Sequence, residues 1–408
     1  MSSKMKISDM SKKKGEKQLP ALRFPEFQKV ATWRIRPLRN VCNISCGGTP
    51  SRVKNDYWGG NIPWISSKYF GENNQIIGEE YITPIGLKKS SATIAKQNST
   101  MLITRVSVGK YAFARKDYAI NQDITCINPN KEVYANFLFY SAHFIAEKIK
   151  RNAIGTGIKG VTQGFISSLT INIPEFREQQ KIADCLSSLD NVISLQTKKI
   201  DVLQQHKKGL MQKLFPAEGA TLPELRFAEF QGAPEWEERK LSEVSSSIFD
   251  GTHQTPSYKD EGIPFFSVEN IVSGKENKFI SENDFKISTK KNKPEKGDIL
   301  LTRIGKIGYT RVVDWDYDFS IYVTLAVIKK SKYFNSFFMH YFMQSSRYQA
   351  EIHGKSLLNA VPCKTNMDSL RNTLVLLPKL DEQKRIADNF FVLDELITAQ
   401  RQKLNNCA

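Results

Sequence analysis

The chain has 408 residues, 40% apolar and 25% charged, a balance that excludes a wholly disordered protein and allows two or more domains, each with its own core. Lys and Arg exceed Asp and Glu by 59 to 42, a net charge of +17 that favours a polyanionic partner bound in a salt-dependent way. Six scattered cysteines and five histidines offer no metal-ligand spacing beyond the lone Cys42-x3-Cys46 pair, which argues against zinc. No run reaches membrane-spanning length, so the reading is a cytoplasmic protein with reduced thiols.

Residues 1–18 carry lysines at 4, 6, 12, 13, 14 and 17 and no apolar segment, and they read as a flexible basic tail. Immediately after it, LPALRFPEFQ at 19–28 returns as LPELRFAEFQ at 222–231. The same offset of 203 carries Trp33 to Trp236, Leu38 to Leu241, Val41 to Val244 and Gly48-Thr49 to Gly251-Thr252. The chain is therefore a tandem duplication, with a period too long for a solenoid and right for two domains of one type. Within each copy, Ile62-Pro63-Trp64-Ile65 and Ile263-Pro264-Phe265-Phe266 open short apolar runs. β-rich segments follow from Leu102 to Ala114 and Leu300 to Val313, with strands at Asp123–Ile127 and Tyr322–Ile328. One helix per copy is predicted, at Tyr134–Ile149 and Asn335–Ile352. A strand ending in Ile173-Pro174 or Leu377-Pro378 then leads straight into a long helix.

The first long helix, Glu178 to Leu214, places Ile182, Leu186, Leu189, Ile193, Ile200, Leu203, Leu210 and Leu214 in alternating steps of four and three, with Gln196 and Lys207 at the two polar seam positions. At its length of roughly 55 Å such a stripe requires a second helix alongside. The second copy supplies one: Ile386, Phe390, Leu393, Ile397 and Leu404 follow the same register, with Gln400 as the counterpart of Gln196. The first helix closes at Phe215-Pro216. The second ends at Ala408, about ten residues short of the first, so the far end of the pair is expected to be unpaired.

The loops differ between copies far more than the helices, so the two domains should recognise two unlike things. No glycine-rich cofactor loop, methyltransferase tetrad or Walker A loop is present; Gly354-Lys355-Ser356 lacks the earlier glycine. Glu276-x-Lys278 and Glu147-x-x-Lys150 read as solvated surface. A binding role fits the loop residues better. The candidates are Thr49, Ser51, Lys54, Ser67, Lys68, Arg105, Lys110, Thr156, Lys159 and Thr162 in the first copy. In the second they are Thr252, His253, Arg303, Lys306, Lys355 and Lys364, with Arg303 read as the counterpart of Arg105. Such side chains neutralise phosphates or hydrogen-bond base edges in the major groove. Trp64 reads as core, and Gln196 and Gln400 as residues that fix helix register.

The tandem design, GGTPSRVKNDYWGGNIPWISSK at 47–68 and the repeated Pro-x3-Glu-Gln-x2-Ile-Ala-Asp at 174–184 and 378–388 resemble the specificity subunit of type I restriction-modification systems. The resemblance implies a mixed α/β (α+β) fold: two β-rich target-recognition domains, 19–174 and 217–378, separated by a long antiparallel coiled coil from 175–216 and 379–408, with an internal pseudo-twofold tandem repeat. It further implies double-stranded DNA as ligand and two methyltransferase (modification) subunits bringing S-adenosylmethionine. Two restriction subunits with ATP and Mg would complete the assembly, leaving no cofactor, metal or catalysis in this chain. A competing reading is a stand-alone, repressor-like DNA-binding protein, and a nuclease is a third.

Overall fold

The computed structural model describes residues 20–154 and 160–407; the basic tail and two candidate residues, Thr156 and Lys159, lie outside the described residues. The chain divides into two compact units, Met1–Val192 and Ile193–Ala408.

In the first unit, strands Cys42–Cys46, Ile124–Pro129, Thr100–Ile103 and Tyr111–Phe113 form an antiparallel sheet in that order. A second sheet runs Glu80–Ile82, Trp58–Ile65, Tyr118–Ile120, Thr93–Ala95, with the middle pair parallel. The central strand Thr100–Ile103 is buried on both faces. Because strand side chains alternate, Met101 and Ile103 pack with Ile65, Tyr118 and Ile120, while Leu102 packs against helix Ala135–Asn152 through Phe137, Leu138, Ala142 and Ile145. A separate antiparallel pair, Arg34–Pro37 with Thr170–Ile173, closes the unit.

The second unit repeats this plan. Ile248–Asp250, Leu325–Ile328, Ile299–Thr302 and Thr310–Val312 form the four-stranded sheet, and Phe279–Ile280, Ile263–Phe266 and Ser320–Ile321 form a three-stranded one. Glu237–Lys240 pairs with Leu374–Leu377 as the closing ribbon. One expectation changes: the single helix predicted over 335–352 is two, Ser336–Gln344 and Ser346–Gly354. Ser345 is extended, and its hydroxyl accepts from Tyr348 N at 3.4 Å, so a capping residue restarts the helix where apolar periodicity alone runs through.

The Glu-Gln of the repeated motif opens each long helix, Phe176–Leu214 and Leu380–Cys407. The buried Glu178 carboxylate accepts a two-pronged pair from Arg23 Nε and Nη2, both at 2.7 Å, and a bond from Trp33 Nε1 at 3.2 Å. The remaining Arg23 protons cap Val30 and Ala31 carbonyls. Gln179 accepts from Tyr134 N at 2.8 Å and donates to the carbonyls of Glu132 and Pro174. Every partner recurs in the second unit: Glu382 holds Arg226 at 2.7 and 2.6 Å and Trp236 at 3.3 Å, and Gln383 holds Asn335 N, Tyr333 O and Pro378 O. The repeated Leu-Arg-Phe, Trp and Glu-Gln are thus one clamp that fastens each domain to its helix.

Within the second unit the helix segment from Ile193 lies antiparallel to Leu380–Cys407. Ile200 and Ile397 are buried, and Gln196 Nε2 donates to Gln400 Oε1 at 2.7 Å and to its carbonyl at 3.0 Å. The other polar seam residue, Lys207, meets Asp394 at 2.7 and 2.8 Å. Tyr341 donates to the same carboxylate at 2.9 Å; burial, with that carboxylate, raises its hydroxyl above the ordinary tyrosine range. Leu214 and Phe215 end the helix inside the domain core, Phe215 stacked on Phe390 at 5.7 Å. Not every seam position faces a helix. Ile182 packs on the first domain's core, and Ile386 and Phe390 on the second's. Leu186, Ile193, Leu203, Leu393 and Leu404 are half-buried, and Leu189 is 47% exposed.

Removing one partner of a buried, hydrogen-bonded ion pair strands the other charge. Glu382→Gln is therefore expected to lower stability to urea by about 3 kcal/mol or more, whereas Arg226→Met combined with Glu382→Leu recovers much of that loss. Equal losses in the single and double variants would contradict the clamp.

Candidate functional site

Glycine marks the entry to the candidate loops. A Cβ on Gly47 would sit 1.9 Å from the Ile120 carbonyl oxygen, and one on Gly251 would sit 2.2 Å from that of Ile321. Gly48 N bonds Ile120 O and Thr252 N bonds Ile321 O, so Gly47 matches Gly251 and Gly48 matches Thr252. The structural repeat is thus shifted by one residue from the Gly48-Thr49 and Gly251-Thr252 correspondence, because only glycine fits where the backbones approach this closely. Thr49 is not the counterpart of Thr252.

In the first unit the loop after Gly48 folds over the second sheet. Thr49 donates to Gln122 Oε1 at 2.6 Å, Ser67 to Asp123 Oδ2 at 3.3 Å, and Lys54 to the Tyr57 hydroxyl at 3.3 Å. The Ser51 carbonyl accepts from Trp58 Nε1, while the buried Trp64 bonds Gly48 O. Lys68 reaches Glu80 at 2.9 Å. Glu80 also accepts from Arg52 Nη1 at 2.6 Å and the Tyr69 hydroxyl at 3.0 Å. The Arg52 hydrogen bond, followed by those from Lys68 and Tyr69, holds the Glu80 carboxyl down at about 2. The Arg52 guanidinium carbon lies 3.5 Å from the centroid of the Trp58 ring. Arg52, Trp58 and Glu80 were not among the sequence candidates; a cation between Ser51 and Lys54 in an aromatic-flanked loop was the available signal.

A second loop lies after the central strand. Here too the repeat slips by one. Ile103 N bonds Lys110 O and Val161 N bonds Thr104 O, as Thr302 N bonds Tyr309 O and Thr365 N bonds Arg303 O. Arg303 therefore stands where Thr104 does, and Arg105 where Ile304 does. Since a one-residue slip turns a side chain to the opposite face, the two arginines are not equivalent. Arg105 is exposed and bridged by its backbone to Gly160. Arg303 is 7% exposed, paired with Asp250 at 2.7 Å and donating to Thr365 O at 3.1 Å. It is a strut for its loops, a correction to its reading as a groove-facing cation.

The remaining candidates divide similarly. Thr162 caps the short helix Gln163–Ser168, accepting from Phe165 N, and Lys110 donates to Phe70 O. Thr252 makes a local turn with Gln254, and His253 meets Asp250 at 3.2 Å. Lys355 is tied to Glu351 and to the Asn372 carbonyl. Lys306 and Lys364 are exposed, on loops joined by the Ile304–Lys364 bridge and a Gly305 N to Cys363 O bond. Ser51 and Lys68 thus join Arg52, Trp58 and Glu80, while Thr49 and Ser67 bond the adjacent Gln122 and Asp123 and Lys54 bonds Tyr57; Lys306 and Lys364 lie on bridged loops in the second unit. Among the described residues no three or more His, Cys, Asp or Glu could hold a metal ion, and no helix is long and apolar enough to cross a membrane. Exposed cations, hydroxyls and an aromatic-backed guanidinium are hydrogen-bond donors of the kind that phosphates and base edges accept.

A model of the type I restriction modification DNA specificity domain matches residues 31–205 and 234–406. The type I restriction enzyme MjaVIII specificity subunit of Methanocaldococcus jannaschii is 25% identical, over 97% of this chain and 93% of the relative. The MjaIX specificity subunit from the same organism is 26% identical over 73% of this chain and 72% of its own. Among solved structures, the type I restriction-modification S subunit from M. genitalium shares the fold with a TM-score of 0.62 at 17% identity, covering 93% of this chain and 94% of its own.

The Glu80 contacts have a measurable consequence. A depressed carboxyl stabilises the fold above its ordinary titration range and loses that contribution as the pH falls toward 2. Carbon NMR of labelled glutamate should find Glu80 titrating near 2, and Arg52→Ala should raise it toward the ordinary value of 4.5. A Glu80 midpoint that is unmoved by the substitution would contradict the contact.

Proposed function

The chain belongs to the type I restriction-modification DNA specificity family, and from that premise we propose how its two units divide the work. It is the DNA-recognising subunit of such a complex. Residues 19–174 and 217–378 are two target-recognition domains, each reading a few base pairs, so that the target is two unlike half-sites around an unread spacer. Residues 175–216 and 379–408 form an antiparallel coiled coil that relates the domains by pseudo-twofold symmetry and sets the spacer. The same helices dock two methyltransferase subunits, which bring S-adenosylmethionine and methylate adenine; two restriction subunits bring ATP and Mg. This chain itself is non-catalytic and acts in the cytoplasm.

One observation carries this reading. The Arg–Glu–Trp clamp and the Gln contacts behind it are the same in both copies, bond for bond, while the loops that follow Gly47 and Gly251 make unlike side-chain contacts, Thr49 with Gln122 in the first and His253 with Asp250 in the second. A constant frame under variable loops suits two like protein partners and two unlike stretches of DNA. Specific reading in this arrangement comes from hydrogen bonds to base edges, with the excess positive charge supplying salt-dependent attraction to phosphates. The Gln196–Gln400 pair supports a fixed register between the helices, since the buried Gln400 amide finds the half-buried Gln196 opposite it in this alignment.

If helix length is the ruler, adding one turn to each helix moves the half-sites apart. Inserting four residues, about one helical turn, after Gln196 and after Gln400 should lengthen the spacer while leaving both half-sites unchanged. Sequencing of methylated adenines in cells carrying the variant reads this directly; an unaltered spacer would refute the ruler.

A further inference from the structure

Arg52 is an exposed cation held on two sides. Its guanidinium lies flat enough to bring Cζ 3.5 Å from the Trp58 centroid and 5.3 Å from that of Trp64, the two indoles themselves edge-to-face at 5.2 Å. Trp58 is fixed in turn by its Nε1 bond to Ser51 O. Arg52 is still 53% exposed, so the stacked fork remains open to an incoming ligand. One edge is engaged by Glu80, a carboxylate 25% exposed that also pairs with Lys68, itself 61% exposed, so the three groups together keep one positive charge.

This arrangement differs from a phosphate-binding lysine cluster. Arginine forks also bind phosphates, but here one carboxylate offsets half of the positive charge of Arg52 and Lys68, and the guanidinium plane is oriented by the ring beneath it. Stacking on an aromatic ring and a bidentate fork suit the paired O6 and N7 acceptors of guanine in the major groove. Glu80 offers the fork a substitute acceptor in the absence of DNA and repels phosphates that approach without one. Only a ligand that replaces the carboxylate hydrogen bond with equally good acceptors recovers what is given up on leaving Glu80.

We propose that Arg52, stacked on Trp58, reads a guanine in the half-site bound by the first unit, and that Glu80 raises specificity by masking Arg52 and Lys68 against other DNA. The proposal rests on the reading of this chain as a DNA specificity subunit and assigns one base contact within it. The second unit is built differently: Lys278 lies over Tyr258 at 5.8 Å and pairs with Glu269, a point charge without a fork, and its own arginine–tryptophan stack, Arg311 over Trp315 at 4.6 Å, is half-buried on the strand Thr310–Val312 rather than carried on an exposed loop.

The test uses the full chain and selection from a randomised duplex library, followed by binding to the selected target and to non-target duplex. Arg52→Lys keeps the charge and removes the fork, so it should lose about tenfold or more of the preference for guanine at one position, leaving the other half-site and non-target affinity unchanged. Glu80→Gln should bind non-target duplex several-fold more tightly and steepen the salt dependence by one to two phosphate contacts, about 1–2 in slope. A uniform loss across sequences in Arg52→Lys, an unchanged motif, or no gain in non-target binding by Glu80→Gln would overturn the proposal. Failure of the unmodified chain to select any motif would overturn the specificity-subunit reading itself, a result distinguishable from failure of the Arg52 assignment alone.

Discussion

Everything above the long helices depends on a buried carboxylate at the start of each. Glu178 and Glu382 are almost fully out of water, where an unpaired charge costs several kcal/mol, and each is rendered tolerable by an arginine fork and an indole N–H. Those donors come from segments some 150 residues earlier in the chain. The requirement to satisfy one charge therefore joins the first segment of the domain, its closing ribbon and its helix into a single frame. Loops that extend from the opposite sheet carry none of this burden and are at liberty to differ.

A second constraint acts along the helices. Apolar seams specify that two helices pack, but they discriminate poorly between registers one heptad apart. In the second unit, Gln196 against Gln400 and Lys207 against Asp394 supply that discrimination, because sliding either helix leaves buried or half-buried polar groups without partners. Tyr341, from the domain, shares Asp394, so register is tied to the globular core as well as to the facing helix. Phe215 and Phe390 complete the junction by stacking inside that core.

Much of this was legible in the sequence. The duplication, the strands, the long helices and the polar seam positions all follow from offsets and periodicity, which report backbone geometry and burial. What periodicity cannot report is which side chains meet across distance. The Glu-Gln of the helix start was visible as a motif, but its partners Arg23 and Trp33 were visible only as parts of a repeat, and nothing in the sequence pointed to Asp394 as the partner of Lys207. Arg105 and Arg303 looked equivalent because both follow an apolar strand ending in threonine; the hydrogen bonds of the adjacent loop set the alignment one residue away and bury Arg303 in the place of Thr104. Ser345 broke a helix that apolar spacing carried through. Arg52 was overlooked for a similar reason: its significance lies in the Trp58 ring beneath it and the Glu80 beside it, contacts that a linear reading does not contain.

Under the proposed function, a constant frame held by buried charge and polar seams presents two independent reading surfaces. The most direct measurement replaces residues 30–174 with the corresponding domain of another family member and maps methylated adenines in cells by single-molecule sequencing. A motif changed in one half-site only, with the other half-site and the spacer preserved, is the predicted result. A change in both half-sites would contradict the independence of the two surfaces.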